Sequence, residues 1–251
     1  MSSYTATPPS YATVDSQAPV VDDNDNMFKN SVFVAESPIS IRQGFIRRVY
    51  ALLSAQVLLT TLVAGGMMTS QSTKSFLQSN GGFWVIIAAF IGSFICLFGA
   101  QYTARRYPYN LMFVSGFTLC EAFTLGCVTC FLDNRVVLQA FMLTSVLFIG
   151  LTLFACQSRY DFLSWYQFLN ITLFVMIGFG FIQMFMPYNH TMEMVYCGAG
   201  VLIFSGMVLA DTQAIMRRLH PDEVILASIS LYLDFLNLFF FILRLLQNDD
   251  Q

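Results

Sequence analysis

The sequence predicts an all-α integral membrane protein, a bundle of seven helices. Three observations carry that prediction. Seven apolar blocks recur along the chain, each near the twenty or so residues that cross a hydrocarbon core of about 30 Å. Of 251 residues, 56% are hydrophobic and only 11% charged, too little charge to cover a soluble domain of this length. The blocks are continuous rather than alternating, which excludes a lipid-facing barrel and leaves helices to satisfy the backbone internally.

The chain opens with a polar, acidic stretch, residues 1–40, which carries Pro8, Pro9, Pro19 and Pro38. It cannot bury a core and is expected to be disordered. No apolar stretch begins near Met1, so no cleavable secretory signal is expected. Within this tail Pro8, Pro9, Ser10 and Tyr11 spell PPSY, which resembles the PPxY ligand of WW domains. The same four residues also fit an ordinary proline-containing tail.

The seven blocks fall at residues 49–68, 83–101, 111–132, 136–156, 165–186, 194–212 and 224–246. Short connectors make successive helices antiparallel neighbours, so residues 41–251 form one membrane domain. The sixth block, among the shortest, is rich in small residues, Gly198, Ala199, Gly200, Ser205 and Gly206, which let helices approach closely in lipid. Lysine and arginine set the orientation. With a cytosolic amino terminus, that side holds Lys29, Arg42, Arg47, Arg48, Arg105, Arg106, Arg159, Arg217 and Arg218. The other side holds Lys74, Arg135 and, if the last helix spans fully, Arg244. A re-entrant last helix would instead return the carboxyl terminus to the cytosol.

Four acids lie in or against the spans: Glu121 in the third, Glu193 and Asp211 at the two ends of the sixth, and Asp234 midway along the seventh. A carboxylate at the centre of a membrane helix costs about 2.5–3.5 kcal/mol on insertion scales. Such groups face the bundle interior and mark ion or proton pathways. Helical spacing puts Ser230, Asp234, Asn237 and Phe241 on one face of the seventh helix. Thr118, Glu121, Thr124 and Leu125 share a face of the third, and Gly200, Phe204, Met207 and Asp211 a face of the sixth. Asp211 also fits an interfacial residue beside Arg217 and Arg218, and Glu193 a helix-start residue favoured by the macrodipole. Asp234 needs a partner or a proton. Arg244 is ten residues along the same helix and out of reach, so the partner comes from another helix. If that partner is a carboxyl, the two share a proton, because both cannot ionise cheaply at short range, and they titrate as a unit.

Other chemistry is poorly represented. The six cysteines fall inside apolar blocks and read as small hydrophobes, Cys127 and Cys130 among them despite their C-x-x-C spacing. His190 and His220 have no zinc-ligand spacing, and no nucleophile–base set or phosphate-cradling glycine loop is visible. No enzymatic activity, no cofactor and no nucleic-acid partner are expected. The hard oxygen ligands suit Ca²⁺.

Several separated stretches agree in order with one family. Residues 209–246, LADTQAIMRRLHPDEVILASISLYLDFLNLFFFILRLL, resemble the carboxyl-terminal signature of the Bax-inhibitor/lifeguard family. Residues 42–61, RQGFIRRVYALLSAQVLLTT, resemble the entry to its first helix, and 105–126, RRYPYNLMFVSGFTLCEAFTLG, its second loop and third helix. The likeness covers about residues 41–246 and is greatest to the Golgi anti-apoptotic, or lifeguard four, branch. It implies two three-helix layers wrapped round a central last helix. It implies a pH-sensitive Ca²⁺ leak from the endoplasmic reticulum or Golgi, with a vacuole or mitochondrion as further locations, that dampens cell death and stress signalling. By resemblance, Asp211 and Asp234 form the pH sensor and gate. Glu193 and Asp234 are linked to ion conduction, Glu121 matches the third-helix glutamate, and Asn237 lies on the same pathway face. Partners implied are the bilayer, apoptosis regulators and, through PPSY, WW-domain proteins. The chain ends QNDDQ where some members carry a basic tail, so that tail's properties do not transfer. An arginine latch partner proposed in bacterial relatives has no assigned counterpart here, Arg105 and Arg106 reading as topogenic. Two other functions fit the same residues: a non-conducting interaction protein that regulates apoptosis, and an H⁺/Ca²⁺ exchanger.

Overall fold

The computed structural model describes residues 33–34, 39–103, 108–187 and 189–249. Among the described residues seven helices are long and apolar enough to cross a membrane. In chain order they are α1 (Ile39–Thr69), α3 (Asn80–Tyr102), α4 (Tyr109–Thr129), α5 (Asn134–Gln157), α6 (Tyr166–Gln183), α7 (His190–Arg217) and α8 (Val224–Asp249). A short helix α2 (Gln71–Leu77) and a 3₁₀ turn (Phe162–Trp165) lie in connectors. PPSY lies outside the described residues, as do Arg105 and Arg106.

Local chemistry accounts for the ends. Ser70, Ser79, Asp133 and Asn189 each cap a helix by accepting backbone N–H groups of the first turn. Within the spans, hydroxyls return to their own helix: Thr144 Oγ1 donates to the Ala140 carbonyl at 2.7 Å and Thr129 Oγ1 to Leu125 at 3.0 Å. That satisfies a polar group in lipid without a neighbour.

Burial identifies the centre. In α8, 67% of the most apolar window is buried, against 11–39% in the other six spans. Helix α4 packs on α1 and α3, and α7 packs on α5 and α6, giving two groups of three. Helix α8 touches α1, α3, α4, α5 and α7 and joins the groups. Small residues permit the closest approaches. A Cβ on Gly126 would meet Met67, and one on Gly200 would meet the Phe241 ring.

The ends differ from the expected ones in four places. Helix α1 starts at Ile39 rather than at residue 49, because the turns bearing Arg42, Arg47 and Arg48 continue the helix beyond the apolar block. Helix α7 has 28 residues, not the shortest span, because Asn189 caps it early and its polar last turns through Arg217 remain helical. The first connector contains α2. Residues 33–34, expected within the tail, dock on the bundle: Val34 N–H donates to the Leu219 carbonyl at 2.9 Å, and Phe33 stacks on His220 at 5.1 Å.

The last helix is continuous and runs antiparallel to α7, with the His190 ring hydrogen-bonded to the Asn248 carbonyl at 3.0 Å. No break interrupts it, so the chain does not turn back within α8. Arg42, Arg47, Arg48, Arg159, Arg217 and Arg218 gather at one end of the bundle, and Lys74, Arg135 and Arg244 lie towards the other.

Candidate functional site

Asp211 lies six residues before Arg217, the end of α7, which puts it about 9 Å inside the arginine-rich end. Asp234 lies ten residues into α8, about 15 Å from its start. Because the helices are antiparallel, both acids fall at similar depth. Their carboxyl groups face each other within hydrogen-bonding reach. Asp211 is 6% exposed and Asp234 4%. Asp234 Oδ2 has no hydrogen-bond partner among the described residues. Asp234 thus finds its partner on another helix, and the partner is a carboxyl. Two acids this close and this buried share a proton rather than both ionise.

The surround of the pair comes from the connector between α5 and α6. Gln213, two residues after Asp211 and 1% exposed, accepts from Phe162 N–H at 2.8 Å and donates to the Tyr160 carbonyl at 2.7 Å. This clamp holds the 3₁₀ turn against α7. Tyr166 follows that turn and stands beside both aspartates, with Arg218 nearby.

A second polar site lies towards the opposite end. Glu193, in the first turn of α7, forms an ion pair with Arg244 of α8. It also accepts from Gln183 Nε2 at 3.1 Å, and the Arg244 guanidinium lies 5.7 Å from the Tyr196 ring centre. These four side chains line a cavity of about 490 Å³. Ten residues of α8, about 15 Å, separate Asp234 from Arg244. Between the two sites Phe241 stacks on Phe204 at 5.7 Å and fills the space over Gly200. The geometry is therefore two polar clusters along the central helix with an aromatic stack between them.

The remaining expected residues sit elsewhere. Glu121 is half-buried and interacts with Ser93 on α3, apart from the aspartate pair. Asn237 Nδ2 donates to the Leu233 carbonyl of its own helix at 2.8 Å. Among the described residues no three of His, Cys, Asp and Glu converge as a metal site. All six cysteines are free thiols.

Residue patterns missed a second network. Tyr232, fully buried, shares a 2.7 Å hydrogen bond with Thr60, and Gln56 Nε2 donates to Thr118 Oγ1 at 3.1 Å. These ties join α8 to α1 and α1 to α4. The signal available in the sequence was weak: polar residues at membrane depth mark a buried face but do not say which ones meet.

The Glu193–Arg244 pair yields a direct test. Arg244 is 44% exposed at its side chain and Glu193 11%, so removing the arginine leaves a nearly buried carboxylate with only the Gln183 amide and the weak Cys197 thiol donor. Arg244→Ala is expected to lower stability in detergent by about 1–3 kcal/mol. A double-mutant cycle with Glu193→Ala is expected to recover part of it, with a coupling of about 1–2 kcal/mol. Additive losses in thermal unfolding would show that the pair contributes nothing.

Comparison with known proteins places the chain among relatives. The profile of the family described as Inhibitor of apoptosis-promoting Bax1 matches residues 42–251. The chain is 38% identical over 249 residues to Bax inhibitor 1 of Schizosaccharomyces pombe, covering 97% of this chain and 91% of that protein. It is 37% identical over 214 residues to protein lifeguard 4 of Mus musculus, covering 85% and 89%. It is 38% identical over 214 residues to the Golgi anti-apoptotic protein of Vaccinia virus, with the same coverage.

Proposed function

The chain belongs to the family of inhibitors of apoptosis-promoting Bax1, and from that premise together with the buried aspartate pair we propose that it is a pH-sensitive Ca²⁺ leak pathway of an intracellular membrane. Its activity lowers store calcium and so suppresses cell death and stress signalling. The observation that carries this reading is the contact between Asp211 and Asp234, two buried carboxyls from adjacent helices. Their shared proton holds α7 to α8. A change in its occupancy changes that contact, and α8 is the helix around which the rest of the bundle packs.

Ca²⁺ is cargo in this reading. A resident site takes six to eight oxygens, and the pair supplies two carboxyls, which suits passage rather than storage. Glu193 with Arg244 forms the station at the far end, and the Phe204–Phe241 stack closes the path in the state described. Glu121 and Asn237 are secondary members of the pathway. The reading assigns no enzymatic activity, cofactor or nucleic-acid partner. It places the amino terminus in the cytosol on the arginine bias, and the membrane is that of the endoplasmic reticulum or Golgi. One relative is named as a Golgi protein. Apoptosis regulators and, through Pro8, Pro9 and Tyr11, WW-domain proteins are the proposed partners.

The test is Ca²⁺ efflux from liposomes holding the purified full-length protein, across a pH series. Flux that follows pH is the expected result. Proton movement in fixed ratio to Ca²⁺ would make the protein an exchanger instead. Folded protein with no flux above empty liposomes would leave an interaction role.

A further inference from the structure

Helix α4 ends in the run GCVTC, residues 126–130, at the end of the bundle away from the arginine cluster. Cys130 is its C-cap and keeps helical angles, φ −65° and ψ −17°, with its N–H donating to the Gly126 carbonyl at 3.0 Å. Cys127 and Cys130 therefore stand three helical positions apart on one face. Cys130 Sγ leans back along that face and donates to the Cys127 carbonyl at 3.3 Å. Both residues are buried, Cys127 6% exposed and Cys130 1%.

A third sulfur joins them. Met67, near the end of α1, places Sδ over Gly126, in the space that a Cβ would take. Gly126 lies four residues before Cys130 and shares its face. The bare glycine thus lets the thioether reach the side of α4 that carries the thiols. Met67 packs against the small cluster formed by Leu77, Cys127 and Cys130, apart from the main core. Lys74 of α2 stands close enough to act on the Cys130 sulfur through its charge. Phe131, the next residue in the chain, is 50% exposed, so the cluster lies just inside the surface.

Distance decides what two such thiols can do. Helical residues three apart hold their Cβ atoms about 5–6 Å apart. A disulfide needs about 3.5–4.5 Å, so the last turn would have to unwind to form one. A metal ion bonded to both sulfurs at about 2.3 Å each spans up to about 4.6 Å between them and leaves the turn intact. Zinc takes four ligands, and among the described residues no histidine or carboxylate joins the two thiols. Soft thiolate and thioether donors select copper(I) instead, which is stable with two or three ligands. Binding releases one proton from each thiol and changes no oxidation state. Two thiolates and one monovalent ion leave a net charge of −1, which the Lys74 ammonium offsets. We propose that Cys127, Cys130 and Met67 form a copper(I)-binding site that ties the end of α1 to the end of α4, with Lys74 as its counter-charge. The site stands independently of the leak reading.

The test titrates the full chain in detergent, reduced and under argon, with copper(I) in competition with bicinchoninate, and with silver(I) as a redox-inert probe. One firmly held copper(I) per chain is expected, together with a rise in melting temperature on adding silver(I). Cys127→Ala with Cys130→Ala should abolish both. Met67→Leu keeps both thiols and the apolar volume, and should weaken copper(I) binding several-fold. Cys96→Ala with Cys120→Ala, the cysteine pair that meets across α3 and α4, should leave both readouts unchanged. Copper(I) binding that survives the loss of Cys127 and Cys130 would overturn the site. Unchanged affinity in Met67→Leu would overturn the three-sulfur site even if the cysteine variant did not fold. Zinc(II) held more tightly than copper(I) would overturn the choice of metal. A chain purified without reductant that is two hydrogens lighter, with Cys127 and Cys130 linked in one peptide, would make the pair a disulfide and overturn the proposal.

Discussion

Asp234→Asn is expected to abolish the pH dependence of Ca²⁺ efflux from proteoliposomes while leaving the protein folded. The substitution keeps the shape and depth of the side chain but removes the proton that two carboxyls share. An amide still hydrogen-bonds Asp211 and does so at every pH, so the contact between α7 and α8 no longer responds to protons. Asp211 then titrates alone beside a neutral partner, and the pair ceases to behave as a unit. The flux should settle at one level across the pH series, either locked or abolished. Asp211→Asn should give the same loss, because the proton belongs to both groups. A variant whose flux tracks pH as the wild type does would remove the aspartates from the sensing role and move it elsewhere in the pathway.

Tyr232→Ala is expected to be the most damaging single substitution for stability, at about 3–5 kcal/mol, the range for deleting a large buried ring. The tyrosine is fully buried on the central helix, and its ring packs edge to face on Phe117 at 5.9 Å. Its hydroxyl meets Thr60 at 2.7 Å. Tyr232→Phe separates the two contributions. It keeps the ring and removes the hydroxyl, and Thr60 Oγ1 still donates to the Gln56 carbonyl at 2.8 Å. Because no buried group is left without a partner, that variant should cost only about 1 kcal/mol. Thermal unfolding in one detergent measures both. Equal losses would mean that the hydrogen bond, not the packing, holds α8 to α1.

The spans and the depth of each acid were legible in the sequence, since both depend on hydropathy along the chain. The need of Asp234 for a partner on another helix was legible too, from the cost of a lone carboxylate and the distance to Arg244. Helix limits were less so. The arginine-bearing start of α1 and the polar last turns of α7 lie outside the hydrocarbon, where hydropathy no longer marks a helix. Asp211 was open between a structural and a functional role on residue pattern alone, and the family resemblance supplied the pairing. Arg244 illustrates the opposite case. It was out of reach of Asp234 along its own helix, and only the antiparallel course of α7 and α8 shows that it meets Glu193.

Sequence by itself determined the class, the count of crossings and the polar residues that a bilayer forces inward. Tertiary structure alone decided which of the others meet: Glu193 with Arg244, Thr60 with Tyr232, and Gln56 with Thr118. The reason is physical. In a soluble protein the buried face of a helix is the apolar one, whereas in lipid both faces are apolar, as Phe98, Val146 and Leu202 show by remaining exposed on the bundle surface. Hydropathy then cannot tell interior from exterior, and the pairing of helices rests on close packing and hydrogen bonds that appear only once the bundle is assembled.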